Sequence, residues 1–214
     1  MRQTAIGFKS EKQSLEGVLT IPQGVSGPFP ALLVCHPHPL LSGDMDNPVV
    51  MAICHAADDQ GLATLRFNFR GVGDSEGEFS NGSGEQKDLD AALNVLKRWP
   101  GMNRKQIALV GYSFGASVVL GGLRSYKAAR SLVLIAPPIS SVRNSRIASD
   151  KRPKLFLAGQ QDRIALPVEL QRVLDDVRQP VQFSEIPAAG HSLSGHEGKV
   201  AKNVIAFVVE AMDD

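Results

Sequence analysis

A five-residue turn, Gly111-Tyr112-Ser113-Phe114-Gly115, joins the apolar run at 107–110 to the small-residue helical run at 116–120. Gly-x-Ser-x-Gly in that setting requires a strand to end, turn sharply and feed a helix, with the serine at the apex. The two glycines leave room for a strained backbone, so the serine oxygen is lifted clear of the sheet. A hydroxyl so placed is a candidate nucleophile, and it needs a base, an orienting acid and an anion-stabilising pocket.

The rest of the chain alternates strand and helix in step with that turn. Residues 4–9 and 15–21 read as two strands joined by a polar turn, a hairpin. A Gly/Pro-rich connection over 23–30 leads to Ala31-Leu32-Leu33-Val34-Cys35, apolar throughout like a parallel strand buried on both faces. Asn47-Pro48 predicts a cap and a first helical residue, opening a helix through about Asp59. Further strands are expected at 63–69, 106–110, 131–136, 154–158 and 181–186. Helices are expected at 86–99, after Ser113, at 167–177 and at 197–212, the first with Leu89, Leu93 and Leu96 as its apolar stripe. Such alternation implies right-handed crossovers and helices on both faces of a mainly parallel sheet, of about seven or eight strands. The expectation is one α/β domain over residues 1–214, without internal repeats or linkers.

With 214 residues and 43% hydrophobic content, the chain is long enough for one sizeable core. A formal net charge of +1 gives no global field for nucleic acid or a membrane surface, so neither partner is expected. Local clusters such as Lys151-Arg152-Pro153-Lys154 read as solvated loop. The first seven residues lack a signal-peptide core, and no apolar run reaches membrane-spanning length. Cys35 and Cys54 fall in apolar segments, as buried reduced thiols do, which makes the cytoplasm the default compartment. Oligomeric state is not fixed by the sequence.

Ligands of such sheets sit at the carboxyl ends of the strands, where Asp162 and His191 both fall a few positions past a strand end. A serine hydroxyl is a poor nucleophile at neutral pH, so neutral His191 is the expected proton acceptor, with Asp162 holding its tautomer. The N–H of Phe114, at the start of the nucleophile helix, is one expected anion donor. The second falls in the loop His36-Pro37-His38-Pro39, where the prolines lack N–H and His38 lies further beyond the strand than His36. His36, His38, Asp44 and Asp46 also have tolerable spacing for a metal, but no third histidine or cysteine follows. No metal or other cofactor is therefore expected, and His55 reads as structural or surface.

On four stretches the chain resembles the small, capless serine hydrolases of the α/β-hydrolase superfamily, near the dienelactone-hydrolase-like branch. These are His36-Pro37-His38-Pro39, residues 65–75 with their Arg70-Gly71-Val72-Gly73-Asp74-Ser75 turn, Gly111-Tyr112-Ser113-Phe114-Gly115, and Ala189-Gly190-His191. The chain order Ser113, Asp162, His191 is the order of that superfamily. The resemblance implies Ser113 as nucleophile, Asp162 as acid, His191 as base, and an oxyanion hole from the N–H groups of His38 and Phe114. Residues 65–75 are expected as scaffold, with Asp74 and Ser75 capping nearby backbone. Dienelactone hydrolases proper use cysteine as nucleophile, so serine here implies ester or thioester cleavage instead. The stretch 139–153 is too short for a cap domain, which implies an open site for small or short acyl groups. Arg143 and Arg146 in that stretch are candidates for favouring anionic substrates. A peptidase or amidase on the same residues, and a non-catalytic binding protein of this fold, are the alternatives.

Overall fold

Strand pairing in the computed structural model, which describes residues 2–213, begins with the hairpin. β1 (Arg2–Ser10) lies antiparallel to β2 (Gln13–Ile21), with Ser10 opposite Gln13. β2 in turn pairs antiparallel with β4 (Ala63–Phe67). The remaining strands are parallel to β4: β3 (Phe29–Cys35), β5 (Met102–Tyr112), β6 (Ser131–Ile135), β7 (Lys154–Gly159) and β8 (Val181–Ile186). The order across the eight-stranded sheet is β1-β2-β4-β3-β5-β6-β7-β8.

Because strand side chains alternate, a central strand must satisfy two cores at once. In β3, Ala31, Leu33 and Cys35 join one buried cluster while Leu32 and Val34 join the other. The first cluster is closed by α2 (Ser83–Arg98), α3 (Phe114–Gly121), α4 (Ile139–Arg143) and α5 (Pro167–Leu174). The second is closed by α1 (Pro48–Asp58) and α6 (Glu197–Asp213), which pack on each other. This is the α/β-hydrolase arrangement, without a cap domain.

Element boundaries depart from the sequence pattern where side chains intervene. β4 stops at Phe67 rather than 69; the Asn68 N–H still donates to the Glu16 carbonyl of β2 at 3.1 Å, but Phe69 leaves the ladder. The Asn68 side-chain amide donates to Glu16 at 2.7 Å, and the Phe69 N–H donates to His36 at 3.1 Å. α2 opens at Ser83 instead of 86, since Glu85 reaches back to accept the Gly82 N–H at 2.8 Å. α5 ends at Leu174 rather than 177. Residues 139–153 hold the single turn of α4 and a 3-10 turn, Ile147–Ser149. Cys35 and Cys54 are free and buried. Among the described residues no helix is long and apolar enough to cross a membrane.

Candidate active site

β5 ends at Tyr112 and α3 starts at Phe114, so Ser113 makes the turn, at φ 51° and ψ −107°. A residue with a Cβ takes that conformation only when its surroundings impose it. The glycines on either side show how tight the surroundings are. A Cβ on Gly111 would lie 2.6 Å from the Ala116 nitrogen, and one on Gly115 would lie 2.5 Å from the Cys35 carbonyl oxygen. Gly111 thus lets α3 fold back over its own strand, and Gly115 lets the first turn of α3 touch the end of β3.

The residues expected to serve Ser113 lie beside it. Ser113 Oγ is 2.9 Å from His191 Nε2, and His191 Nδ1 is 2.9 and 3.1 Å from the two Asp162 oxygens. The Tyr112 hydroxyl donates to the His191 carbonyl at 3.0 Å, which ties the histidine loop to the end of β5. The Asp162 side chain is wholly buried, and its Oδ1 also accepts the N–H groups of Ile164 and Ala165, each at 2.8 Å. Burial alone would raise its pKa; the His191 hydrogen bond, the two amides and the imidazole charge outweigh it and hold the carboxyl below its ordinary value. An ionised carboxylate facing Nδ1 makes that nitrogen the donor and leaves Nε2 to accept the serine proton.

The loop after β3 folds back against the same turn. The His38 carbonyl accepts the N–H groups of Leu41 and Gly43 at 3.0 Å, and its Nδ1 accepts that of Leu40 at 3.2 Å. A Cβ on Gly43 would collide with the Pro37 carbonyl, so this closure needs glycine. Among the described residues the His38 N–H meets no acceptor within the chain. The Phe114 N–H is likewise without one, as the first amides of a helix are. The rings of His38, Phe114 and Phe79 lie 5.1–5.3 Å apart as an aromatic wall beside the serine. Phe79, in an irregular loop, carried no signal in the sequence.

His36 has a different task from His38. It is fully buried, its Nδ1 donates to the Pro37 carbonyl at 2.7 Å, and its Nε2 accepts the Phe69 N–H at 3.1 Å. Burial pushes its pKa down to about 4, so the ring is neutral and braces the β3 loop to the end of β4. With both nitrogens engaged, it is not a metal ligand. Of its supposed co-ligands, Asp46 pairs with Arg66 and Asp44 accepts the Asp46 N–H. His55 is exposed on α1.

Residues 65–75 form a polar scaffold. Ser75 Oγ donates to the Asn68 carbonyl at 2.8 Å and accepts the Glu16 N–H at 3.1 Å. Asp74 contributes its N–H to Glu16, not the expected carboxylate cap. Arg70 makes a two-pronged pair with buried Asp88 at 2.7 and 3.0 Å. Arg143 is turned to Glu169 of α5, 3.2 Å away, while Arg146 has no ion pair among the described residues.

Residues 13–166 match the model of the X-Pro dipeptidyl-peptidase (S15) family, a stretch that ends before His191. An α/β serine hydrolase homologue from Coxiella burnetii superposes with a TM-score of 0.83 at 31% identity, covering 96% of this chain and 97% of that one. A Xanthomonas campestris α/β serine hydrolase without a lid gives 0.86 at 26% identity, over 100% and 97% of the two chains. An uncharacterised protein of Rickettsia prowazekii is 37% identical over 138 residues, 63% of this chain. The matched stretch spans 58% of that relative's length.

Proposed function

The chain belongs to the X-Pro dipeptidyl-peptidase (S15) family, among the capless α/β serine hydrolases of dienelactone-hydrolase-like type, and from that footing we propose a carboxylesterase or thioesterase. The observation that carries this reading is the unbroken hydrogen-bonded path from Ser113 Oγ through His191 to Asp162.

In the proposed cycle Ser113 Oγ attacks the acyl carbonyl while His191 Nε2 takes its proton. Asp162 steadies the imidazolium without accepting the proton itself. The carbonyl oxygen, now an alkoxide, is held by the N–H groups of His38 and Phe114, a donor of this kind contributing about 2.7–4 kcal/mol. Collapse expels the alcohol or thiol, which takes the proton from His191. A water then attacks the acyl-serine with His191 again as base, releasing the acid and restoring the hydroxyl. The short connection over 139–153 supports small or short acyl groups as substrates. Free, buried Cys35 and Cys54 suit a reducing compartment, which supports a cytoplasmic setting.

The family match favours a second reading, in which the same three residues cleave an X-Pro peptide bond. A fluorophosphonate probe followed by p-nitrophenyl acetate, butyrate and octanoate, beside an X-Pro p-nitroanilide, separates the two. We expect an adduct at Ser113 and turnover that falls from acetate to octanoate. Anilide cleavage with little ester turnover would replace the esterase with the peptidase. An unlabelled Ser113 would reject both.

A further inference from the structure

A groove runs along α3 away from the nucleophile, and the reaction above makes no use of it. Its upper hollow, about 260 Å³, starts at Phe114 and Ser117. A middle hollow of about 210 Å³ follows, and the two share Gln86, Gly121, Asn144 and Ser145. A third of about 620 Å³ shares Leu123, Arg124 and Arg146 with the middle one and adds Lys127 and Lys151. The hollows therefore adjoin one another through shared walls, in a series from the residue after Ser113 to a cluster of cations.

The upper wall is hydroxyl-bearing: Ser141 Oγ donates to Ser117 Oγ at 2.8 Å, and Ser140 and Ser145 line the same hollow. The far end is strongly cationic. Arg152 is engaged there, with Asp150 and the carbonyls of Tyr126 and Leu123. That also occupies Asp150, the one carboxylate lining this hollow. The side chains of Arg124, Arg146, Lys127 and Lys151 are left exposed, with no hydrogen bond or ion pair among the described residues. Like charges gathered in one hollow repel each other until an anion offsets them. The eight residues of α3 at 1.5 Å each span about 12 Å, and Arg124 follows three residues beyond its end.

We propose that the groove holds the leaving-group side of an elongated substrate: a small acyl group carried on a long, polar alcohol or thiol tipped by a phosphate or carboxylate. This rests on the serine-hydrolase reading only for the place of the scissile bond. Arg124 and Arg146, where the middle and far hollows meet, bind the anion, and Lys127 and Lys151 add to the field. Arg143, paired with Glu169, has no part in it.

The test uses S-acetyl thioesters of oligo(ethylene glycol) thiols of increasing length, tipped with phosphate, carboxylate or methoxy, with thiol release as the readout. Once the spacer spans about 15 Å, kcat/KM for an anionic tip should exceed that for methoxy about five- to tenfold, through KM. The two anionic arms tell phosphate from carboxylate. The preference should fall toward unity in Arg124→Gln/Arg146→Gln and in about 0.5 M NaCl. Equal rates at every length, or a preference that survives the double substitution, would overturn the inference. Absence of both thioester turnover and a fluorophosphonate adduct would defeat the hydrolase reading instead. Calorimetry of the phosphate-tipped thiol with Ser113→Ala then decides the groove alone. Binding weakened by adding Arg124→Gln/Arg146→Gln supports it, and no binding overturns it.

Discussion

Ser113 sits in a backbone conformation that costs a side-chain-bearing residue about 1–3 kcal/mol. The cost can be read by comparing two variants that both lose the hydroxyl. At an ordinary position glycine is less stable than alanine, by roughly 0.5–1 kcal/mol. At φ 51° the order should reverse, with Ser113→Gly about 1 kcal/mol more stable than Ser113→Ala in urea titration. Alanine proving the more stable would mean the turn is not strained. That Ser113, Asp162 and His191 would share one rim was readable from the sequence, because each follows an apolar strand and the strands are parallel. The brace made by His36 was not. Its partner, the Phe69 N–H, lies 33 residues away, two residues past the end of a strand that stops earlier than its apolar run. The pair between Arg70 and Asp88 was hidden for the same reason, since no local pattern marks a contact from a loop to a helix interior.

At the scale of elements, the decisive approach is that of α3 to the end of β3. Gly115 permits it, and both expected oxyanion donors, the N–H groups of Phe114 and His38, flank the contact. Gly115→Ala places a methyl group against the Cys35 carbonyl, and one of the two elements must give way. The expected result is a fall in kcat on p-nitrophenyl acetate of about 100-fold, comparable to losing one donor, with the far-ultraviolet circular dichroism unchanged. An unaltered kcat would show that this contact does not position the donors. Among the described residues, the eight strands and the five longer helices were legible from apolar runs and stripes, while the short α4 and the 3-10 turn after it carried no such pattern. The ends were less so, because Glu85 extends α2 backward and His36 takes the Phe69 N–H past the end of β4, both through side-chain hydrogen bonds. Periodicity carries no trace of either.

For the molecule as a whole, the buried neutral His36 couples folding to pH. Its folded pKa of about 4 lies below the ordinary value of 6.5, so below pH 6.5 the unfolded chain binds a proton that the folded chain refuses. Stability is therefore full above pH 6.5 and falls on acidification through the window to pH 4, by about 3 kcal/mol at most. Asp162, with its pKa lowered, acts in a more acid window: its contribution is present above the unfolded value and is lost as pH falls through the folded one. Urea midpoints from pH 7.5 to pH 4 should show the slope, and His36→Gln should flatten it while lowering stability at neutral pH. A slope unchanged in that variant would assign the acid sensitivity elsewhere. The sheet order itself followed from the sequence only as a class, since strand alternation gives parallel pairing but not which neighbours meet. The brief passage over 139–153 has a chemical consequence too. What becomes of an acyl group bound to an enzyme depends on which acceptor reaches it first, and a closed pocket can keep water out long enough for another acceptor to win. Residues 139–153 build only one short helix and a 3-10 turn, so on the proposed cycle water is the expected acceptor, and release of the free acid should outpace transfer to an added alcohol.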